Sequence, residues 1–144
     1  MKKRVQLNYK PIILEDWWAS NVKYYIFDRQ GLEIVCAEFH HPHPKANIVF
    51  LTGWNETFLK YPELIKSLYD AKFSVFTYDH QSQGLSSRWL AETQSTWIHS
   101  FNDYVDDFVS FVNIITKDHP HLPIYLVAHS MGCLVSAIGM ARHP

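Results

Sequence analysis

The sequence predicts a layered α/β fold, an N-terminal antiparallel hairpin plus three parallel strands with flanking helices, and three observations point to it. Short β-branched and aromatic runs alternate with segments of helical period along the chain. One of those segments, Ile98 to Ile115, is strongly amphipathic. The last apolar run, Ile124 to Ala128, leads straight through His129-Ser130-Met131-Gly132 into an apolar helix, as a buried strand turning into a buried helix does.

Taken in order, Val22 to Phe27 and Leu32 to Phe39 read as two strands joined across Asp28-Arg29-Gln30-Gly31, where the glycine can supply a positive φ. After the proline- and histidine-rich loop His40 to Pro44, the run Asn47 to Thr52 is continuous and apolar, as expected of a central strand covered on both faces. Phe58 to Ala71 carries Leu64, Ile65 and Leu68 at helical spacing, and Phe73 to Tyr78 is a further strand. Strand, helix, strand implies a parallel crossover. In the long helix Phe101, Tyr104, Val105, Phe108, Phe111, Val112 and Ile115 recur at three and four, with Asp103, Asp106 and Asp107 between them, and Pro120 and Pro123 close it.

At 144 residues the chain matches one domain or a piece of one. Apolar residues make up 47% and charged residues 19%, which is globular rather than disordered. The net charge of -1, with no basic block after Met1-Lys2-Lys3-Arg4, leaves no electrostatic footprint for nucleic acid. No apolar stretch follows that basic start, so no export signal is read. Cys36 and Cys133 lie far apart and fit reduced cytosolic core thiols better than a disulfide framework. His129, Ser130 and two glycines interrupt the apolar stretch Ile124 to Ala141, which argues against a membrane span. No repeat or linker marks a domain boundary, so residues 1–144 are read as part of a single domain.

The informative segment is Ala128-His129-Ser130-Met131-Gly132. A serine in a tight turn between a buried strand and a helix is held out at the sheet edge, as a nucleophile must be. Small residues two before and two after it let strand and helix approach, and the helix N-terminus favours developing negative charge. The bland alternative is that Ser130 only caps the helix; the strand before it, the helix after it and a second loop favour the nucleophile. That second loop, Thr52-Gly53-Trp54-Asn55-Glu56, leaves the first parallel strand where a backbone N–H can be offered to a reacting carbonyl, paired with the N–H of Met131.

With these segments on the page, the chain resembles the lysophospholipase and monoacylglycerol lipase group of α/β hydrolases from about Tyr24 onward. The group's His-Gly-x-x-Glu corresponds to Thr52-Gly53-Trp54-Asn55-Glu56, its Asp-x-x-Gly-x-Gly-x-Ser to Asp79-His80-Gln81-Ser82-Gln83-Gly84-Leu85-Ser86, and its Phe-x-Asp-Tyr-Val-x-Asp to the start of the long helix at Phe101. Thr52 stands where the group has histidine, and Ala128 where its elbow has glycine. The resemblance implies a truncated α/β-hydrolase fold, Ser130 as nucleophile and the backbone N–H groups of Trp54 and Met131 as oxyanion hole, with Asp79 to Ser86 structural. It implies a lipid ester as substrate, no cofactor or metal, and a cytoplasmic setting that allows peripheral membrane contact. Acyl transfer to an alcohol uses the same serine, whereas dehalogenase and epoxide-hydrolase chemistry would place an aspartate in the elbow.

In this fold the acid and then the histidine follow the serine on later loops. Only fourteen residues follow Ser130, none of them Asp or Glu, and the sole histidine, His143, lies near 20 Å away along a helix rising about 1.5 Å per residue. His80 follows a strand expected two places from the nucleophile strand and reads as a turn residue; His129 is expected to face away. His99, His119 and His121 flank a helix with no evident approach to Ser130. The expectation is therefore a fragment, from a truncated gene, a split gene or a deliberate piece, ending just after the elbow helix and weakly active or dead alone. The strand Ile124 to Ala128 would expose an unpaired edge, predicting poor solubility and self-association, and a non-catalytic partner-dependent role is the alternative.

Overall fold

A computed structural model describes residues 2–92 and 94–144. The elements are β1 (Lys2–Val5), α1 (Glu15–Asn21), β2 (Val22–Arg29), β3 (Leu32–Phe39), β4 (Ala46–Leu51), α2 (Pro62–Asp70), β5 (Phe73–Tyr78), α3 (Phe101–Asp118), β6 (Ile124–Ala128) and α4 (Met131–Arg142), with a 3-10 turn at Phe58–Lys60. They form one six-stranded sheet in the order β1-β2-β3-β5-β4-β6. The first three strands are antiparallel, β3 joins β5 antiparallel, and β4 pairs in parallel with both β5 and β6. The hairpin and the three parallel strands expected from the sequence are thus present.

Several boundaries differ for local reasons. The hairpin strands run closer together than Asp28 to Gly31 suggests, leaving a two-residue turn in which Gln30 and Gly31 have φ of 57° and 82°, the twist that matches paired strands. The helical stretch from Phe58 breaks at Tyr61, because Pro62 cannot continue a helix from a preceding turn and moves the residue before it out of the helical region. The long helix starts at Phe101 instead of Ile98. Ser100 Oγ accepts from the Asn102 N–H at 3.2 Å and Asp103 accepts from the Ser100 N–H at 3.1 Å, a reciprocal cap.

Helices cover both faces. On one, Phe108, Phe111 and Ile115 of α3 and Val135 of α4 pack on Phe27, Ile34, Cys36, Val49, Leu51, Phe76 and Tyr78. On the other, Trp18 of α1 and Ile65 of α2, with Phe58, pack on Tyr24, Ala37, Phe39, Phe50 and Val75. Most of the aromatic share therefore fills core. Burial of β4 is complete along its length, as its unbroken apolar run requires.

The two sheet edges differ. The β1 edge is four residues long, carries Lys3 and Arg4 outward, and is tied down by Lys2, which pairs with buried Glu38 and with Asp118 at 3.2 Å. Among the described residues no strand pairs with the outer side of β6, and Tyr125, Leu134 and Met140 are more than half exposed beside it. Cys36 is buried as expected, but Cys133 is exposed. Its Sγ lies 3.1 Å from the Ala128 carbonyl at the end of that open strand, where nothing covers it. Among the described residues no helix is long and apolar enough to cross a membrane.

Candidate active site

β6 delivers the chain into a strained corner. Ser130 has φ 53° and ψ -120°, a combination rare for a residue with a side chain and of the kind held in place at functional sites. It occupies the N-cap position of α4, yet its side chain makes no capping hydrogen bond. Among the described residues the hydroxyl has no partner, and it stands at the head of a twelve-residue helix, the positive end of the helix dipole. Two residues on, a side chain on Gly132 would stand 2.7 Å from the Thr52 carbonyl oxygen and 2.9 Å from Leu51, so only glycine lets α4 start this close to the end of β4. Ala128 is accommodated, its methyl packed against the α3 and α4 core.

The loop leaving β4 meets the elbow. A methyl group added at Gly53 would lie 3.3 Å from Ser130 Cβ and 3.4 Å from His129 Nδ1. The loop's N–H groups are then sorted by side chains. Gly53 N–H donates to Glu56 Oε2 at 2.7 Å, and Asn55 N–H donates to Gln83 Oε1 at 2.7 Å. Among the described residues the Trp54 and Met131 N–H groups have no acceptor, while the next two after Met131 are taken by His129 and Ser130 carbonyls. Two donors therefore stay without an acceptor, one in the residue after the serine and one in the loop that meets the elbow. The Trp54 ring is 61% exposed.

The turn Asp79 to Ser86 does more than cross the sheet. Asp79 is fully buried and accepts from Thr57 Oγ1 at 2.8 Å and from the Phe58 and Leu85 N–H groups, each at 2.9 Å. Burial drives its carboxyl up to about 6, against the pull of those donors and Arg88. His80, expected as a plain turn residue, is fully buried between the rings of Tyr78 and Tyr104, with Nε2 3.1 Å from the Thr52 carbonyl. Desolvation lowers it to about 4, which makes it a neutral ring donating through Nε2. Its strand does lie on the far side of β4 from β6, as expected.

Other histidines have partners of their own. His129 presents Nδ1 to Glu56 Oε2 and to the Tyr61 hydroxyl, each at 3.3 Å, so its ring turns toward the loop after β4. Desolvation raises the Glu56 carboxyl, but the Gly53 N–H, the Tyr61 hydroxyl and His129 outweigh it and leave it below its ordinary value. His99 is held edge-on between Trp89 and Trp97, His119 lies against Phe76 and His40, and His143 follows the last turn of α4. Glu56, Tyr61 and Gln83 had no assigned role in the sequence reading. Glu56 was visible as the end of a motif, whereas Gln83 stands at a position that the motif leaves open.

Comparison with known proteins gives the lineage. Residues 42–144 match the Hydrolase_4 family, described as serine aminopeptidase, S33. Lysophospholipase L2 of Escherichia coli K12 is 32% identical over 131 residues, which cover 91% of this chain and 38% of that protein. Monoglyceride lipase of Rattus norvegicus is 34% identical over 101 residues, covering 70% of this chain and 32% of that protein. The chain thus spans between about a third and two fifths of the length of these relatives. Among solved structures, a thermostable carboxyl esterase from Bacillus coagulans superimposes with a TM-score of 0.73 at 19% identity, over 85% of this chain and 41% of that one. An epoxide hydrolase from Vigna radiata gives 0.62 at 17%, over 87% and 36%. At such identities the superpositions speak for the fold alone. The sheet order, the strained serine corner and the match over residues 42–144 together show that the chain belongs to the serine aminopeptidase S33 family of α/β hydrolases.

Proposed function

We propose that this chain is the nucleophile-bearing portion of a serine hydrolase of lipid carboxylic esters, lysophospholipids or monoacylglycerols, working through an acyl-enzyme at Ser130. The observation that carries the reading is the pairing of an unused hydroxyl at a strained corner with two acceptor-free N–H groups beside it. Ser130 Oγ attacks the ester carbonyl, and the Trp54 and Met131 N–H groups hold the oxygen that becomes negative; collapse expels the alcohol and water later releases the acid. Loss of one such donor costs about 3 to 4 kcal/mol of barrier in comparable sites. The lipid class rests on the names of the relatives, and the setting we propose is cytoplasmic, with substrate drawn from the membrane surface.

The acid and base lie outside this chain in the reading. Residues 131–144 hold no Asp or Glu, His80 is buried, His99 is held edge-on between Trp89 and Trp97, and His129 turns its ring toward Glu56. Alone, the chain should retain no more than the residual of roughly 10³ to 10⁴ over water left by triad-deficient hydrolases. A fluorophosphonate probe tests this, with Ser130→Ala as control: slow labelling lost in the variant supports the assignment. Rapid stoichiometric labelling of the native chain would show that a base has been overlooked.

A second reading is favoured by one observation, the open outer side of β6 with Tyr125, Leu134 and Met140 exposed beside it. There the chain acts as a non-catalytic fragment through dimerisation or a partner chain. Size-exclusion chromatography separates the two: a stable dimer with no phosphonate labelling supports the second.

A further inference from the structure

We propose that the side-chain amide of Gln83 is the positioning element of the oxyanion loop, gripping the peptides on both sides of Trp54 so that the Trp54 N–H is the one left free. The inference rests on the oxyanion-hole reading above and adds a residue that the family motif does not specify.

Gln83 is buried, with 1% of its surface exposed. Its Oε1 accepts from the Asn55 N–H at 2.7 Å and its Nε2 donates to the Gly53 carbonyl at 3.2 Å. Both partners lie in the loop after β4, beside the turn after the neighbouring parallel strand β5 that carries Gln83. An amide is the side chain that can donate and accept in one plane, so the two bonds fix the loop's orientation as well as its distance. Asn55 turns the chain there, its φ of 54° lying in the left-handed region that asparagine adopts more readily than most side-chain-bearing residues.

The surrounding contacts close the arrangement. Glu56 takes the Gly53 N–H, and His80 donates to the Thr52 carbonyl, at the spot where Gly132 of the elbow passes. Thr52, Gly53 and Asn55 thus each have a peptide group committed to a side chain, whereas the Trp54 N–H has no acceptor among the described residues. Releasing Gln83 frees both the carbonyl before Trp54 and the N–H after it. The Trp54 peptide then rotates within a loop held at one end only, and its donor leaves the position set against Ser130. A displacement of about 1 Å at such a donor is enough for roughly a hundredfold loss of rate.

The test compares the native chain with Gln83→Leu, which keeps bulk and removes both bonds. Ser130 is phosphonylated with a fluorophosphonate by long incubation, and the Trp54 and Met131 amides are followed by proton–nitrogen correlation spectra. In the native adduct both amides should move downfield as they bind the phosphonyl oxygen. In Gln83→Leu the Met131 shift should persist, the Trp54 shift should fall by more than half, and labelling should slow roughly ten- to a hundredfold. An undiminished Trp54 shift in the variant overturns the proposal. If neither amide moves in the native adduct, or no adduct forms at Ser130, the oxyanion reading fails instead. Hydrogen exchange of the free chain then judges the clamp by itself, since Asn55 should lose its protection in Gln83→Leu and unchanged protection refutes it. Should Gln83→Leu not fold, Gln83→Glu serves: its protonated carboxyl donates to the Gly53 carbonyl and its carboxylate cannot. The Trp54 shift should then be present at acid pH and absent at alkaline pH, and a pH-independent shift overturns the clamp.

Discussion

Replacing His80 with glutamine should change how the stability of this protein depends on pH, by an amount that the structure fixes. The imidazole is fully buried, donates through Nε2 to the Thr52 carbonyl, and has no partner for Nδ1 among the described residues. A second proton would sit on Nδ1, among the rings of Tyr78 and Tyr104. Burial accordingly lowers the group from 6.5 to about 4, a difference worth ~3 kcal/mol. Because the pKa is lowered, the unfolded chain binds the proton more readily. Stability from this group is therefore complete above about pH 6.5 and is lost as the pH falls toward 4, with about 2 kcal/mol gone by pH 5. Asp79 and Asp107 work in the opposite sense across the same range. Each is raised to about 6, first by burial, so the stability they contribute is present in acid and is lost as the pH rises through 6. The native curve alone mixes the three, whereas the difference between the native chain and His80→Gln isolates the ring. Glutamine can still donate to Thr52 and does not titrate. Urea denaturation at pH 7.5, 6 and 5 should show the variant gaining on the native chain by about 2 kcal/mol between the extremes. A gap that stays constant with pH would refute the account of a neutral, desolvated ring.

Ser130→Gly should raise unfolding free energy by about 1 to 3 kcal/mol, the strain held by a side-chain-bearing residue at φ 53° and ψ -120°, while ending phosphonate labelling; a destabilised variant contradicts the strain. Gly132→Ala should cost about 1 to 3 kcal/mol in thermal or chemical denaturation, since the new methyl meets backbone at 2.7 Å, and a neutral result would mean that β4 and α4 are less tightly apposed. Ser82 has φ 61° where the family motif has glycine, so Ser82→Gly should stabilise by about 0.5 to 1 kcal/mol, less whatever its bond from the Trp89 N–H contributes. Tyr125→Lys combined with Met140→Lys should move the chain from aggregate toward monomer in gel filtration. Unchanged elution would remove the open edge as the cause of association.

The sequence made legible those parts whose signal is local. β4 and β5 announce themselves because strands covered on both faces are continuously apolar, β6 because its run is apolar even though the structure leaves it only half-buried, and α3 because its stripe persists over eighteen residues. β1 and α1 left no such mark. Lys2–Val5 is a strand only because β2 pairs with it and Glu38 holds Lys2, and α1, with seven residues, is too short to establish a period. Ser130 could be read from its setting, since strand, small residues and helix lie together in the chain. Gln83 and His80 could not, because what they do depends on a loop some thirty residues earlier that folding brings beside them.

The open side of β6 has a handedness. α2 lies on one face of the sheet and links β4 to β5; α3 lies on the other face and links β5 back across β4 to β6. Both are right-handed turns of the chain, the sense that twisted strands enforce almost without exception. α4 lies on the same face as α3. A parallel strand that followed it would keep that sense only by stepping the same way, outward past β6 and over Ile124 and Leu126. At the opposite border, lysine and arginine on a four-residue strand deter any newcomer. Growth of this sheet is therefore vectorial, and its direction is set by which face α4 chose.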